Sequence, residues 1–130
     1  MVEIPASHRD LLDKCQVVIL ATIGPDNFPQ VTANWFLVEN DIIKMPVNNT
    51  RQKTKNLQRH PECSLLFIDP DTPYRTLEVR ATADLQPDPN FLMVDALSTK
   101  YGADVRSFDP PGQFRLAATF TPVKVNTYGE

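Results

Sequence analysis

Leu77, Val79, Ala81, Ala83 and Leu85 alternate without a break with Thr76, Glu78, Arg80, Thr82 and Asp84. A period of two sends successive side chains to opposite faces of an extended chain. Tyr74 to Leu85 is therefore predicted to be a strand with one face in a core and the other in water. A strand of that kind needs partners, and the rest of the chain has to supply them.

Val17 to Ile23 is β-branched and apolar on both faces, as expected of a strand covered on both sides. Gly24-Pro25-Asp26-Asn27 reads as a turn in which Asn27 takes the left-handed conformation that glycine usually supplies. Pro29 to Val38 and Asp41 to Val47 read as the next two strands of a meander, hinged at Glu39-Asn40-Asp41. Ser64 to Ile68 is a further short strand, followed by a rigid connector from Asp69 to Pro73. Leu116 to Val125 is the last. Its apolar parity changes from Leu116, Ala118 and Phe120 to Val123 and Val125 across Thr121-Pro122, which predicts a bulge.

Short helices fall between these strands. Leu11 and Leu12 set against Arg9, Asp10 and Asp13 predict one from Pro5 to Lys14. Asp88 as cap, Pro89 as first residue, and Phe91, Val94, Leu97 and Tyr101 at helical spacing predict another that ends at Gly102. Gly102 to Arg115, with Pro110-Pro111-Gly112 inside it, is a loop in which Phe108 and Phe114 either form a lid or pack onto the body of the fold. Six strands with short helices inserted make the chain mainly β and predict a small closed or partly closed antiparallel barrel.

At 130 residues the chain can bury one core and is short of two, so residues 1–130 are expected to form a single domain. A formal charge of −3 argues against general nucleic-acid binding. No apolar run is long enough for a membrane span, and Met1 to Asp10 lacks the basic-then-apolar order of a signal peptide, so a cytoplasmic location is expected. Cys15 and Cys63 sit beside apolar runs at no metal-ligand spacing and read as reduced core thiols; no metal is expected. Among the motifs of catalysis, no Gly-rich phosphate loop, paired-carboxylate site or Ser-His-Asp set is present. An enzyme built this way would leave the reactive chemistry to a bound cofactor, and no side chain is assigned as a catalyst.

Val47 to Pro61 is the segment that speaks of a ligand. It opens on Asn48, Asn49 and Thr50, which suit a helix start, and Pro61 stops it. A helix N-terminus carries partial positive charge and favours acids, yet this one begins with Arg51, Lys53 and Lys55 and contains no acid. One reading is a solvated basic face. The other is a receptor for phosphate, in which free backbone N–H groups and cations act in the same direction. Arg51 and Lys53 lie about 200° apart on a helical wheel, so they can share a ligand only from a first turn.

Val18 to Asp26, Pro29 to Thr32, Lys53 to Pro61, Leu77 to Ala83 and Phe120 to Val125, in that order, resemble the split-barrel flavin and deazaflavin oxidoreductases, the superfamily of pyridoxamine 5′-phosphate oxidase. The resemblance is nearest to its F420-dependent branch. It implies a six-stranded antiparallel split β-barrel (the FMN-binding split barrel) and a homodimer with cofactor sites at the interface. By position, Lys53 and Arg51 hold the cofactor phosphate, while Thr32, Asn34, Val47 and Asn48 line the ribityl chain and ring. Tyr74 matches an aromatic position that can reach the ring from the other subunit. Asn27 and Ala81 depart from the family pattern, which often has glycine at both places. Pyridoxamine phosphate oxidase activity itself is disfavoured, because its paired Arg-Lys is here Gln52-Lys53.

The resemblance thus implies an oxidoreductase that passes a hydride from reduced F420 to a planar organic small molecule. An FMN-dependent enzyme of the same fold is one alternative. A non-catalytic carrier of a flavin-like, tetrapyrrole or quinone ligand is another. The acidic tail of F420 asks for a second basic patch, for which Lys55 with Arg59 or Arg75 are the candidates. An open pocket at the ring face favours the enzyme, and a pocket filled by Trp35 or Phe108 favours the carrier.

Overall fold

In the computed structural model, which describes residues 2–130, the strands are β1 (Val18–Ile23), β2 (Pro29–Asn34), β3 (Leu37–Glu39), β4 (Ile42–Asn48), β5 (Glu62–Ile68), β6 (Thr76–Pro87) and β7 (Arg115–Tyr128). The helices are α1 (Leu11–Lys14), α2 (Gln52–Arg59) and α3 (Leu92–Tyr101), and a 3₁₀ turn spans Val105–Phe108. All strand pairs are antiparallel, in the order β2-β1-β5-β6-β7-β4-β3. The fold is the mainly β split barrel that the sequence predicts.

The strand count is seven rather than the expected six. The apolar run from Pro29 to Val38 is one strand by pattern, but it pairs with β1 through Asn34 and with β4 only from Leu37. Trp35 and Phe36 between them turn inward. Phe36 is fully buried and meets Phe67 edge to face at 5.2 Å, while Trp35 stacks on Tyr101 at 4.4 Å. Burial of the Phe36 ring and stacking of the half-buried Trp35 on Tyr101 offset the ladder bonds an uninterrupted strand would have kept. Because β2 and β3 are the two edges of the sheet, this short crossover joins edge to edge and the sheet has to curl.

Other expectations can be checked locally. The alternation in β6 buries Leu77, Val79 and Ala81. Along β6 and β7 the register steps between Arg80 and Ala81, which face Lys124 and Pro122, so Val123 is the extra residue of a bulge. Asn27 has φ 65°, as its turn requires, and Asn40 and Asp41 at φ 52° and 63° form the two-residue hairpin between β3 and β4. The N-terminal helix is shorter than Pro5 to Lys14: single turns run from Pro5, and α1 begins only at Leu11. The third helix starts at Leu92 rather than Pro89. Phe91 is left-handed there at φ 57°, and the Asp88 carboxylate reaches past it to accept from the N–H groups of Leu92 and Met93 at 3.0 and 3.1 Å.

Inside the barrel, Leu20, Met45, Leu65, Phe67, Leu77, Val79 and Phe120 form the core with Phe36. Cys15 and Cys63 are free and buried, and burial, with Glu62 nearby, pushes the Cys63 thiol up to about 12. A second cluster of Val94, Leu97 and Val105 packs with Trp35, Leu37 and Tyr101 and fixes α3 against the crossover. The Tyr101 hydroxyl accepts from the Phe36 N–H at 3.2 Å and donates to the Gln16 carbonyl at 3.0 Å. Lys100 donates to the Phe36 carbonyl at 2.7 Å. The crossover is therefore held at its backbone as well as its rings. Among the described residues, no helix is long and apolar enough to cross a membrane.

Candidate functional site

Helix α2 docks by polar side chains set on either edge of its buried side, with Leu57 between them. The buried Asn56 amide donates to Thr22 Oγ1 at 3.0 Å and to Gln30 Oε1 at 3.1 Å, and the Thr54 hydroxyl donates to the Asn48 carbonyl at 2.6 Å. Arg59 donates to the Gly24 carbonyl at 3.1 Å. These bonds point the start of α2 at the ends of β2 and β4. Arg51 occupies the cap position with extended backbone, and no side chain caps the helix there. Asn48 instead organises the approach, its Oδ1 accepting from the Thr50 N–H at 2.8 Å and the Thr50 hydroxyl at 2.7 Å.

Lys53 extends from this start into a cleft of about 290 Å³. Its Nζ donates to Asn34 Oδ1. Asn34 in turn donates to the Thr32 carbonyl and hydroxyl at 3.1 and 3.0 Å, so Thr32, Asn34 and Lys53 form one chain of bonds across β2 and α2. Burial, then the charges of Arg115 and Arg51, pull the Lys53 ammonium down from its ordinary value to about 8. Among the causes of that shift there is no nearby carboxylate to offset them. The cleft is cationic at one end, where Arg115 joins Lys53, and apolar at the other, where Trp35, Leu97, Val105 and Phe108 line it. Trp35 is held flat against Tyr101, 5° from parallel, and borders the space without filling it. Phe108 is 54% exposed and tilts toward Trp35 at 6.2 Å.

The remaining residues singled out from the sequence lie around or away from this cleft. Arg51 is exposed at its rim, close enough to act on the Lys53 charge. Val47 is fully buried in the core. Asn48 is buried, and its amide nitrogen donates to Asp109 Oδ1 at 2.8 Å and Gln113 Oε1 at 3.0 Å. Lys55 is exposed on the next face of α2. Tyr74 is 66% exposed, on the β5–β6 connection and beside the C-terminal end of β7, whereas Arg115 begins that strand. Arg75 is held by Asp10 and Asp69, so its charge is already matched.

Arg115 and Asp109 were not singled out from the sequence. Arg115 Nε and Nη2 pair with Asp109 at 2.9 and 3.2 Å, and Nη1 donates to the Pro46 carbonyl at 3.2 Å. Burial opposes ionisation of Asp109, but Arg115 and the Asn48 amide together hold its carboxyl below the usual range. The only sign of these two in the sequence is the length of the loop that carries them.

A family profile described as pyridoxamine 5′-phosphate oxidase matches residues 4–128. Among solved structures, one titled F420 reductase is 30% identical, with a TM-score of 0.80 over 95% of this chain and 98% of that one. The conserved hypothetical protein Rv2991 from Mycobacterium tuberculosis is 25% identical, with a TM-score of 0.78 over 98% and 86%. HutZ, the heme storage protein from Vibrio cholerae, is 14% identical with a TM-score of 0.78 over 98% and 96%, a likeness of fold alone. No curated protein matches the sequence.

Proposed function

The chain belongs to the pyridoxamine 5′-phosphate oxidase family, and from that premise we propose that it is an oxidoreductase that passes a hydride from reduced F420 to a planar, electron-poor organic molecule. One observation carries the reading: a partly buried lysine, paired only with a neutral amide, faces a cleft with a cationic end and an aromatic end. A buried cation without a counter-charge is costly to the empty fold and is relieved by an anion. The 30% identity to an F420 reductase favours F420 over FMN, which remains the second reading of the same cleft.

The residues present fit a phosphate-bearing ring. Lys53 and Arg115 would hold the phosphate with Arg51 at the rim, and Thr32, Asn34 and Asn48 would line the polar chain that follows. Val47 contributes backbone and packing behind them. When bound, the reduced cofactor supplies the hydride. Trp35 contributes a flat wall that orients a ring, and Phe108 a tilted, half-exposed edge beside it that covers part of one ring face. The proton comes from solvent or a nearby hydroxyl. Trp35 beside the space, rather than in it, supports turnover over simple carriage.

At about 290 Å³ the cleft is at the lower bound for a whole-ligand site, which supports a second copy completing it. The outer faces of β1 and β5 support the same reading. Val17 and Ile68 are exposed at one end of these strands, where with Ile19 and Leu66 they line a hollow of about 170 Å³, and a second hollow of about 510 Å³ bounded by Ala21, Ile23 and Val123 lies at the other end. A homodimer closing over this face would bring Tyr74 of one copy toward the ring held by the other. Lys55 and Arg59 are then the cations left for the acidic tail of F420.

The test is a titration of the purified apo-protein with F420 and with FMN, read by ring fluorescence. F420 is expected to bind more tightly. Binding of FMN alone would discard F420 as the cofactor.

A further inference from the structure

Asp109 follows the 3₁₀ turn, and its carboxylate is 12% exposed. One of its partners, Arg115, lines the cationic end of the cleft, and the other, Asn48, is a buried amide on the approach to α2. Arg115 presents two N–H groups to it, at 2.9 and 3.2 Å, and Asn48 presents one at 2.8 Å. These are the groups a phosphate would use: a planar guanidinium fork and an amide. The chain thus places an oxyanion of its own on Arg115, which lines the same cleft as Lys53, whose own partner is neutral.

A resident carboxylate acts on an incoming anion twice over. It occupies donors, and it repels the newcomer in proportion to the newcomer's charge. A phosphate monoester, close to doubly charged at neutral pH, is repelled about twice as strongly as a singly charged diester. Building on the phosphate-cofactor reading above, we propose that Asp109 is a specificity-determining residue, the resident counter-charge that turns the cleft from doubly charged phosphate monoesters toward singly charged diesters. FMN ends in a monoester and F420 carries a diester, so the residue discriminates in favour of the latter. If Asp109 served only to orient Arg115, its removal would weaken both kinds of ligand.

The experiment titrates wild-type and Asp109→Asn protein at pH 7 with FMN and with its methyl phosphodiester, which keeps the ring and carries one charge. Removing the carboxylate is expected to tighten FMN about tenfold and the diester about threefold, the ratio given by one extra ligand charge at roughly 8 Å screened nearly as in water. Asp109→Ser repeats the comparison should the first variant fail to fold, with the same shift in ratio expected. Equal tightening of the two ligands, or weaker binding of both, overturns the assignment while leaving the phosphate reading intact. Failure of FMN, its diester and F420 alike to bind any of these proteins removes the phosphate reading and this inference with it.

Discussion

Lys53 meets opposite demands in the empty and the filled cleft. With no ligand, its charge sits in a dry place beside Arg115, and its ammonium falls to about 8. Between that value and the ordinary lysine range the unfolded chain binds a proton that the folded chain does not, so stability rises with pH across that window. At pH 7 the charged lysine weighs against the fold. Lys53→Met is therefore expected to stabilise the empty protein by about 1 to 2 kcal/mol, allowing for the side chain's partial exposure, and to weaken cofactor binding by about 1.5 to 3 kcal/mol. Thermal melting and a binding titration read the two effects. A destabilised variant with unaltered affinity would show that the lysine is structural. In the wild type, affinity for a phosphate ligand should fall as pH rises through 8, since the free protein then loses the charge the ligand needs. At this scale the sequence was partly legible. Lys53 stood out because cations crowd a helix start, and Asn34 and Thr32 followed from the resemblance. Arg115 and Asp109 did not, because a bond from an irregular loop to the first residue of β7 leaves no periodicity to read.

Helix α2 has little apolar surface to bury beyond Leu57, so polar docking decides where it sits. Asn56→Ala would leave the hydroxyl of Thr22, itself buried, without its partner on the helix. It is expected to cost about 1 to 3 kcal/mol in denaturant unfolding and to weaken the Lys53 cleft along with it. Loss of stability with cofactor affinity untouched would mean that α2 keeps its aim without this bond. Elements with a strict period were the readable ones: β6 from its alternation, the bulge in β7 from its change of parity, and the end of α3 from Gly102. The division between β2 and β3 was hidden, since Trp35 and Phe36 are as good in a strand as in a crossover, and only the sheet order distinguishes them. The start of α3 was misplaced because Asp88 caps from a longer reach than a Pro at the first position implies.

Across the whole molecule, the N-terminal segment is tied to the barrel by charge. Arg75 pairs with Asp10 at 2.6 Å and Asp69 at 2.9 Å, and Lys14 pairs with Asp69 at 2.8 Å. Its bond to Arg75 lowers the Asp10 carboxyl, and the bonds to Lys14, the Asp71 backbone and Arg75 hold Asp69 far below the usual range. A depressed carboxylate contributes fully above its unfolded pKa of about 4 and is lost as the pH falls toward its folded value. Melting temperature should drop steeply below pH 4, and Asp69→Asn should lower it at neutral pH while flattening that acid limb. An acid limb as steep in the variant as in the wild type would assign the loss to other carboxylates. Trp35 and Phe36 have a consequence of the same reach. One extra residue inserted between Asn34 and Leu37 would slide β2 against β3 and carry the Asn34 amide off the Lys53 ammonium without altering a single side chain. The length of that tether is accordingly a dimension of the binding site, and a lineage or an engineer wishing to enlarge this protein has room at the Gly24–Asn27 turn and none here.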